Sequence, residues 1–248
     1  MKEKAPWTAG FFDEAMAGLL FDGRKELEAP SEARGLLKLT GLERGSVLDV
    51  ACGTGRHSGA FAAMGMDVTG IDASAMYVKR AKARLKEAGR KARFVKADLR
   101  DLKAFKGRYD LVVNLFTSFG YLATASANER SLRQMAACLK PGGWLAIELL
   151  PRISLRRITE PEVIQRVPGG WLFEQRWFSD DGRSLHTRVT WDLKQGRRVQ
   201  DSVFQTYDRA ELIGLFKKAG LGRIKAHGDF QGRPFKAGDR LLILGRRA

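Results

Sequence analysis

The 248-residue sequence predicts an α/β protein: a seven-stranded, mostly parallel sheet with helices on both faces, interrupted after the fifth strand by an antiparallel β insertion. Three observations carry this. Short apolar runs at residues 47–51, 67–71, 93–97, 109–116 and 144–150 alternate with helical patterns. That spacing demands crossover connections, and so parallel strands. Between residues 161 and 207 the period drops to two, with Leu185, Thr187, Val189, Trp191 and Leu193 alternating with polar neighbours. Finally, a glycine-rich turn, Gly53-Thr54-Gly55, joins the first strand directly to a helix.

The elements follow in order. Residues 10–20 read as a short helix, and Pro30-Ser31 opens a second one through Leu39. Residues 41–46 form a turn before the first strand, and residues 56–64 a helix with Phe61 and Met64 on its apolar face. Ser74 caps a long helix in which Ala81, Leu85 and Ala88 share a face, and Gly89 stops it. The run 109–116 is apolar nearly throughout, as a strand buried on both faces requires. Leu132, Met135, Ala136 and Leu139 mark a further amphipathic helix, closed by a turn at Pro141-Gly142-Gly143. Gly169-Gly170, Asp181-Gly182 and Gln195-Gly196 divide the insertion into about four strands. Asp208 and Glu211 have the spacing of a capping box for a helix ending at Gly220, and strands follow at residues 221–227 and 240–244. Residues 1–150 and 207–248 therefore read as one nucleotide-type domain, and residues 151–206 as an insertion on the substrate side.

Composition excludes several classes. No stretch approaches the roughly 18 apolar residues of a membrane span, and the lysines of residues 1–10 precede no apolar run. Two cysteines, Cys52 and Cys138, make neither a disulfide framework nor a metal-ligand pattern. A cytoplasmic protein without bound metal is the expectation. The net charge of +16 suits an acidic small substrate or simply a basic surface. Nucleic acid is not favoured, since the basic residues look distributed over solvated helix faces and no block of five or six like charges occurs.

The glycine turn lets backbone approach a ligand at a helix N-terminus. A phosphate-binding NTPase loop fails for want of a following Gly-Lys-Ser/Thr, and a dinucleotide fingerprint wants a glycine where Ser58 stands. Asp72 ends the second strand nineteen residues after Gly53, placed to accept from both hydroxyls of a ribose. Asp98 ends the third strand and is placed to accept from an adenine amino group. Three consecutive strand ends thus converge on one crevice.

These residues resemble the class I S-adenosylmethionine-dependent methyltransferases over nearly the whole chain. Leu48-Asp49-Val50-Ala51-Cys52-Gly53-Thr54-Gly55-Arg56-His57-Ser58 is similar to the family's first motif. Val68-Thr69-Gly70-Ile71-Asp72-Ala73-Ser74 resembles its ribose strand, and Leu139-Lys140-Pro141-Gly142-Gly143 the turn before its fifth strand. Asn114-Leu115-Phe116-Thr117-Ser118-Phe119-Gly120-Tyr121 resembles the fourth-strand segment of a small-molecule branch. Residues 7–13 resemble that branch's N-terminal segment, which folds over the cofactor, although Met16 stands near the place of a frequent tyrosine.

The resemblance implies a Rossmann-like class I methyltransferase fold with S-adenosyl-L-methionine as cofactor. It implies that Gly53 and Gly55 pass under the methionine part, that Asp72 holds the ribose, that Asp98 and Leu99 read the adenine, and that Ala51, Thr54, Arg56 and Ala73 are cofactor-binding as well. Asn114, through its backbone carbonyl, would receive the methionine ammonium, Leu115 would also contact the cofactor, and Trp7 and Phe12 would cover the site as part of an N-terminal helical lid. Phe116, Phe119 and Tyr121 fit either the pocket or the core. No catalytic residue is assigned: His57 lies inside the cofactor motif, and neither His186 nor His227 stands out as a base. The expected reaction is methyl transfer to N or O of a small molecule. An RNA or protein acceptor, a cofactor-binding protein without turnover and a dehydrogenase are the alternatives.

Overall fold

The computed structural model describes residues 23–167, 169–194 and 196–248. The helix expected at 10–20, and Trp7 and Phe12, lie outside the described residues. A first helix α1 (Gly23–Thr40) runs straight through Pro30, rather than starting there. Proline removes one amide donor from the helix. Burial outweighs that: Ala29, Ala33, Leu36 and Leu37 lie on one face and are all buried in the core. Gly35 is required on this helix because a Cβ there would meet the Phe230 carbonyl oxygen at 2.1 Å.

The sheet is built from β1 (Ser46–Val50), β2 (Asp67–Asp72), β3 (Arg93–Lys96), β4 (Tyr109–Asn114), β5 (Leu139–Leu149), β10 (Leu221–His227) and β11 (Leu241–Arg247). Their order is β10-β11-β5-β4-β1-β2-β3, with β11 antiparallel to both of its neighbours and every other pairing parallel. Helices α2 (Arg56–Ala63), α3 (Ala75–Glu87) and α4 (Ala125–Ala137) make the crossovers, with a 3₁₀ turn at Lys103–Phe105 before β4. The central strands read as continuous apolar runs because alternate residues feed two cores. Leu48, Val50, Val112 and Ile147 enter one, while Val47, Leu111, Val113 and Ala146 enter the other.

After β3 the chain crosses β1 and β2 to place β4 on the far side of β1. Such a reversal opens a crevice at the carboxyl ends of the strands. Further elements differ from the expectation. β4 stops at Asn114, because Phe116 and Thr117 adopt left-handed backbone with φ of 61° and 55°. β5 begins at Leu139 and contains Pro141-Gly142-Gly143, which produces a register shift against β4 instead of a separate turn. A helix α5 (Arg152–Ile158), with no marked period in the sequence, follows β5.

The insertion is a second sheet of four antiparallel strands, β6 (Glu162–Val167), β7 (Gly170–Phe178), β8 (Ser184–Leu193) and β9 (Gly196–Gln205), paired in chain order. It is tied to the end of β4. The Gln205 amide donates to the Gly120 carbonyl at 2.9 Å, and the Tyr121 and Phe204 rings stack at 5.1 Å. Helix α6 (Arg209–Lys218) then returns the chain to the large sheet, and its capping box is formed, with the Asp208 amide donating to Glu211 Oε2 at 2.9 Å.

Candidate functional site: a cofactor cleft at the strand ends

A cleft of about 630 Å³ opens at the carboxyl ends of β1 to β4, within the size range of small-molecule sites. Of the residues expected there, Ala51, Gly53, Arg56, Asp72, Ala73, Asp98, Leu99 and Leu115 line it. The loop after β1 turns sharply, with Ala51 and Gly53 both left-handed (φ 58° and 56°). The Cys52 amide donates to the Ile71 carbonyl at 2.9 Å, which fixes the loop against the end of β2.

Asp72 organises two backbones at once. Its Oδ2 accepts from the Gly53 amide at 2.9 Å and its Oδ1 from the Ser74 amide at 2.8 Å. Burial raises the Asp72 pKa above the ordinary aspartate value; the Ser74 and Gly53 amides pull it down and the Asp49 charge pushes it further up. Asp49 is itself buried and accepts from Ser58 Oγ at 2.6 Å. Ser58, the residue that replaces a third glycine, therefore anchors the helix to the strand before it.

Asp98 behaves differently. Arg100 forks onto its Oδ2 through Nε at 2.9 Å and Nη2 at 2.7 Å, and the Arg100 amide donates to Oδ1. Burial works to raise this carboxyl, but the Arg100 bonds and charge outweigh it and hold the pKa below the usual value. Arg100 lines the cleft too, and nothing in the local pattern of residues 96–100 marked it.

Three expected residues among those described, Thr54, Gly55 and Asn114, do not line the cleft. Thr54 is set back from it, and Asn114 is buried with its side chain turned inward, its Nδ2 donating to the Val50 carbonyl at 2.9 Å. Gly55 is absent from the lining as well, and has a packing reason. A Cβ there would meet Ala81 Cβ at 2.9 Å and the Phe94 ring at 3.2 Å, at a φ of 79°. Gly55→Ala should accordingly lower unfolding stability by about 2 kcal/mol, through overpacking and left-handed strain together, a shift readable by urea unfolding.

The aromatic residues after β4 divide between roles. Phe119 is core, buried and 5.1 Å from the Tyr207 ring. Phe116 and Tyr121 line the cleft. Phe116 lies beneath two guanidinium groups, Arg56 at 4.7 Å and Arg240 at 5.3 Å from its ring centre. Its amide donates to the buried Glu148 Oε2 at 2.7 Å, and Glu148 is in turn ion-paired with Arg240. Arg240 also donates to Thr117 Oγ1 at 3.1 Å. Sequence reasoning found neither Glu148 nor Arg240.

The histidines separate in the same way. His57 Nε2 lies 2.6 Å from Glu32 Oε2 of α1, and the same carboxylate pairs with Arg56 at 3.4 Å. His186 stacks on Trp177 in the insertion, and His227 Nδ1 contacts the Gly232 carbonyl. Among the described residues no group of three or more His, Cys, Asp or Glu could hold a metal ion.

The donor set fits an adenosyl amino acid: strand-end carboxylates at Asp72 and Asp98, apolar walls at Leu99 and Leu115, and a backbone loop at Gly53. The comparisons agree. Residues 47–143 match the family model described as a methyltransferase domain. The dTDP-3-amino-3,4,6-trideoxy-alpha-D-glucopyranose N,N-dimethyltransferase of Streptomyces venezuelae is 31% identical over 209 residues, covering 79% of this chain and 80% of that one. The chain belongs to the class I S-adenosylmethionine-dependent methyltransferases. S-adenosyl-L-methionine is the cofactor of this methyltransferase. The putative methyltransferase YqeM of Bacillus subtilis is 34% identical over 107 residues, so the alignment spans less than half of either chain, 43% of each. In fold, the chain is similar to the CcbJ methyltransferase of Streptomyces caelestis, with a TM-score of 0.78 over 99% of both chains at 20% identity.

Proposed function

We propose that this methyltransferase transfers the methyl group to an amino nitrogen of a small molecule by in-line displacement. The observation that carries the choice of nitrogen is that the titratable groups of the cleft are already engaged. His57 is bonded to Glu32, Asp49 to Ser58, Asp72 to two amides and Asp98 to Arg100. Burial pushes the Tyr121 phenol up to about 12, away from any role as a base. A hydroxyl acceptor needs a base to become nucleophilic, whereas a neutral amine does not. The Streptomyces venezuelae relative, whose name describes N,N-dimethylation of an amino sugar, supports the same reading.

When bound, S-adenosylmethionine supplies a methyl group already activated by the sulfonium charge. The chain's own contribution is position, which supplies roughly 7–11 kcal/mol of such a barrier. Asp72 would hold the ribose hydroxyls and Asp98 with Leu99 the adenine, while the loop at Gly53 would face the methionine part. Phe116, Thr117, Ser118, Tyr121 and Leu122 form the wall that follows β4. Because Tyr121 and Gly120 join that wall to β9, the insertion becomes the natural substrate side.

Incubation with isotopically methyl-labelled S-adenosylmethionine and a panel of amines, amino sugars and amine-free hydroxyl compounds tests the proposal. Label is expected in amines. Transfer confined to hydroxyl compounds would overturn the choice of nitrogen, and cofactor binding without label in any compound would overturn transfer. Tyr121→Phe should keep its turnover within about threefold, since loss of a general base would cost 10²–10⁴.

A further inference from the structure

Half of the chain's net positive charge is gathered in one place. From residue 79 to residue 96 there are nine Lys and Arg against a single glutamate, Glu87, a net +8 out of +16. Folding sharpens this. The outer face of α3, the following loop and the edge strand β3 are adjacent in space. Lys82, Lys86, Arg90, Lys91 and Arg93 surround one hollow of about 510 Å³, with Asp67 the carboxylate beside them. All five are exposed, and none forms an ion pair among the described residues. The hollow lies at the amino-terminal end of β2, roughly 16 Å by strand rise from the cofactor cleft at its carboxyl end.

We infer that this face is a docking surface for the phosphodiester backbone of a nucleic acid, separate from the methyl-transfer cleft and independent of the acceptor assigned above. The chemistry selects among polyanions. A protein partner wants an apolar or aromatic anchor at the centre of its interface. Residues 73–96 expose none: the large apolar side chains exposed among the described residues are Leu27, two on α5 and four in the insertion sheet. An anionic membrane binds a basic helix through an apolar face laid into the lipid. That face of α3, with Tyr77, Val78, Ala81 and Leu85, is buried in the core. Cations without apolar anchors match a phosphate chain, whose binding is driven by release of counterions. Contacts to the backbone alone also read no sequence.

The test is fluorescence anisotropy of the full chain with a labelled mixed-sequence single-stranded RNA of about 20 nucleotides, titrated at several salt concentrations. Five phosphate contacts predict a slope of log K against log salt of about −3.5. The Lys82→Gln/Lys86→Gln/Lys91→Gln variant should bind at least about 30-fold more weakly at about 50 mM salt, with a slope near −1.4. Glutamate at the same three positions should abolish binding. Unchanged calorimetric affinity for S-adenosylhomocysteine certifies that both variants are folded. RNA affinity unchanged by the substitutions, a wild-type slope shallower than about −1, or tighter binding to polyglutamate or to phosphatidylserine vesicles at equal salt would each overturn the inference.

Discussion

Asp72→Ala should weaken binding of S-adenosylhomocysteine by roughly 100- to 1,000-fold in a calorimetric titration. The carboxylate accepts from the amides of Gly53 and Ser74 at 2.9 and 2.8 Å, so it shapes the loop even before a ligand arrives. Hydrogen bonds to charged groups contribute about 1.5–3 kcal/mol each. Losing the ribose contacts and loosening the Gly53 turn together cost about 3–4 kcal/mol, at 1.4 kcal/mol per tenfold. Asp72→Asn keeps one acceptor oxygen and should fall between. The acid limb has a determined sign as well. The ligand requires the ionised carboxylate, and burial raises its pKa. Affinity should therefore be lost as pH falls through that raised value, above the range where an ordinary aspartate protonates. Undiminished binding by Asp72→Ala would remove the ribose assignment.

Arg240→Met should lower the melting temperature by roughly 10 °C. Glu148 is only 3% exposed, and its charge is balanced by Arg240, the residue just before β11. Removing one partner of such a pair leaves a buried charge, at 3–5 kcal/mol. Arg240 is itself about a third exposed, which places the loss near the lower end, about 3 kcal/mol, at about 2–4 °C per kcal/mol for a domain of this size. The same change removes one of two donors to Thr117 Oγ1, the Leu150 amide remaining, and leaves Arg56 alone over the Phe116 ring. Adding Glu148→Gln to Arg240→Met removes the stranded charge but keeps an acceptor for the Phe116 amide. At least half of the lost stability should return. Equal stability of Arg240→Met and the parent would show that the pair carries no such load.

Both residues bear on what local sequence contains. Asp72 was legible because a strand, a glycine turn and a carboxylate at the next strand end are local signals with a fixed spacing. The pair of Glu148 and Arg240 was not, since its members stand 92 positions apart. The left-handed backbone at Phe116 and Thr117 was hidden for the same reason. An apolar run predicts strand, and only the amide bond to Glu148 and the Thr117 contact with Arg240 show why the chain leaves it. Pro30 misplaced the start of α1 because a local helix breaker was weighed without the buried face around Leu36.

By itself the sequence determined the alternation of strands and helices, the antiparallel insertion and the three strand ends at Gly53, Asp72 and Asp98. These follow from periodicity and from residue chemistry within one or two elements. Tertiary structure alone decided which groups were free to act. It gave Gly55 to packing, Asp98 to Arg100, His57 to Glu32 and Phe119 to the core. It also brought the lysines and arginines of α3, the following loop and β3 together around one hollow at the edge of the sheet. The physical reason is that hydrogen bonds, ion pairs and burial are settled between elements, by neighbours that only the folded chain brings together.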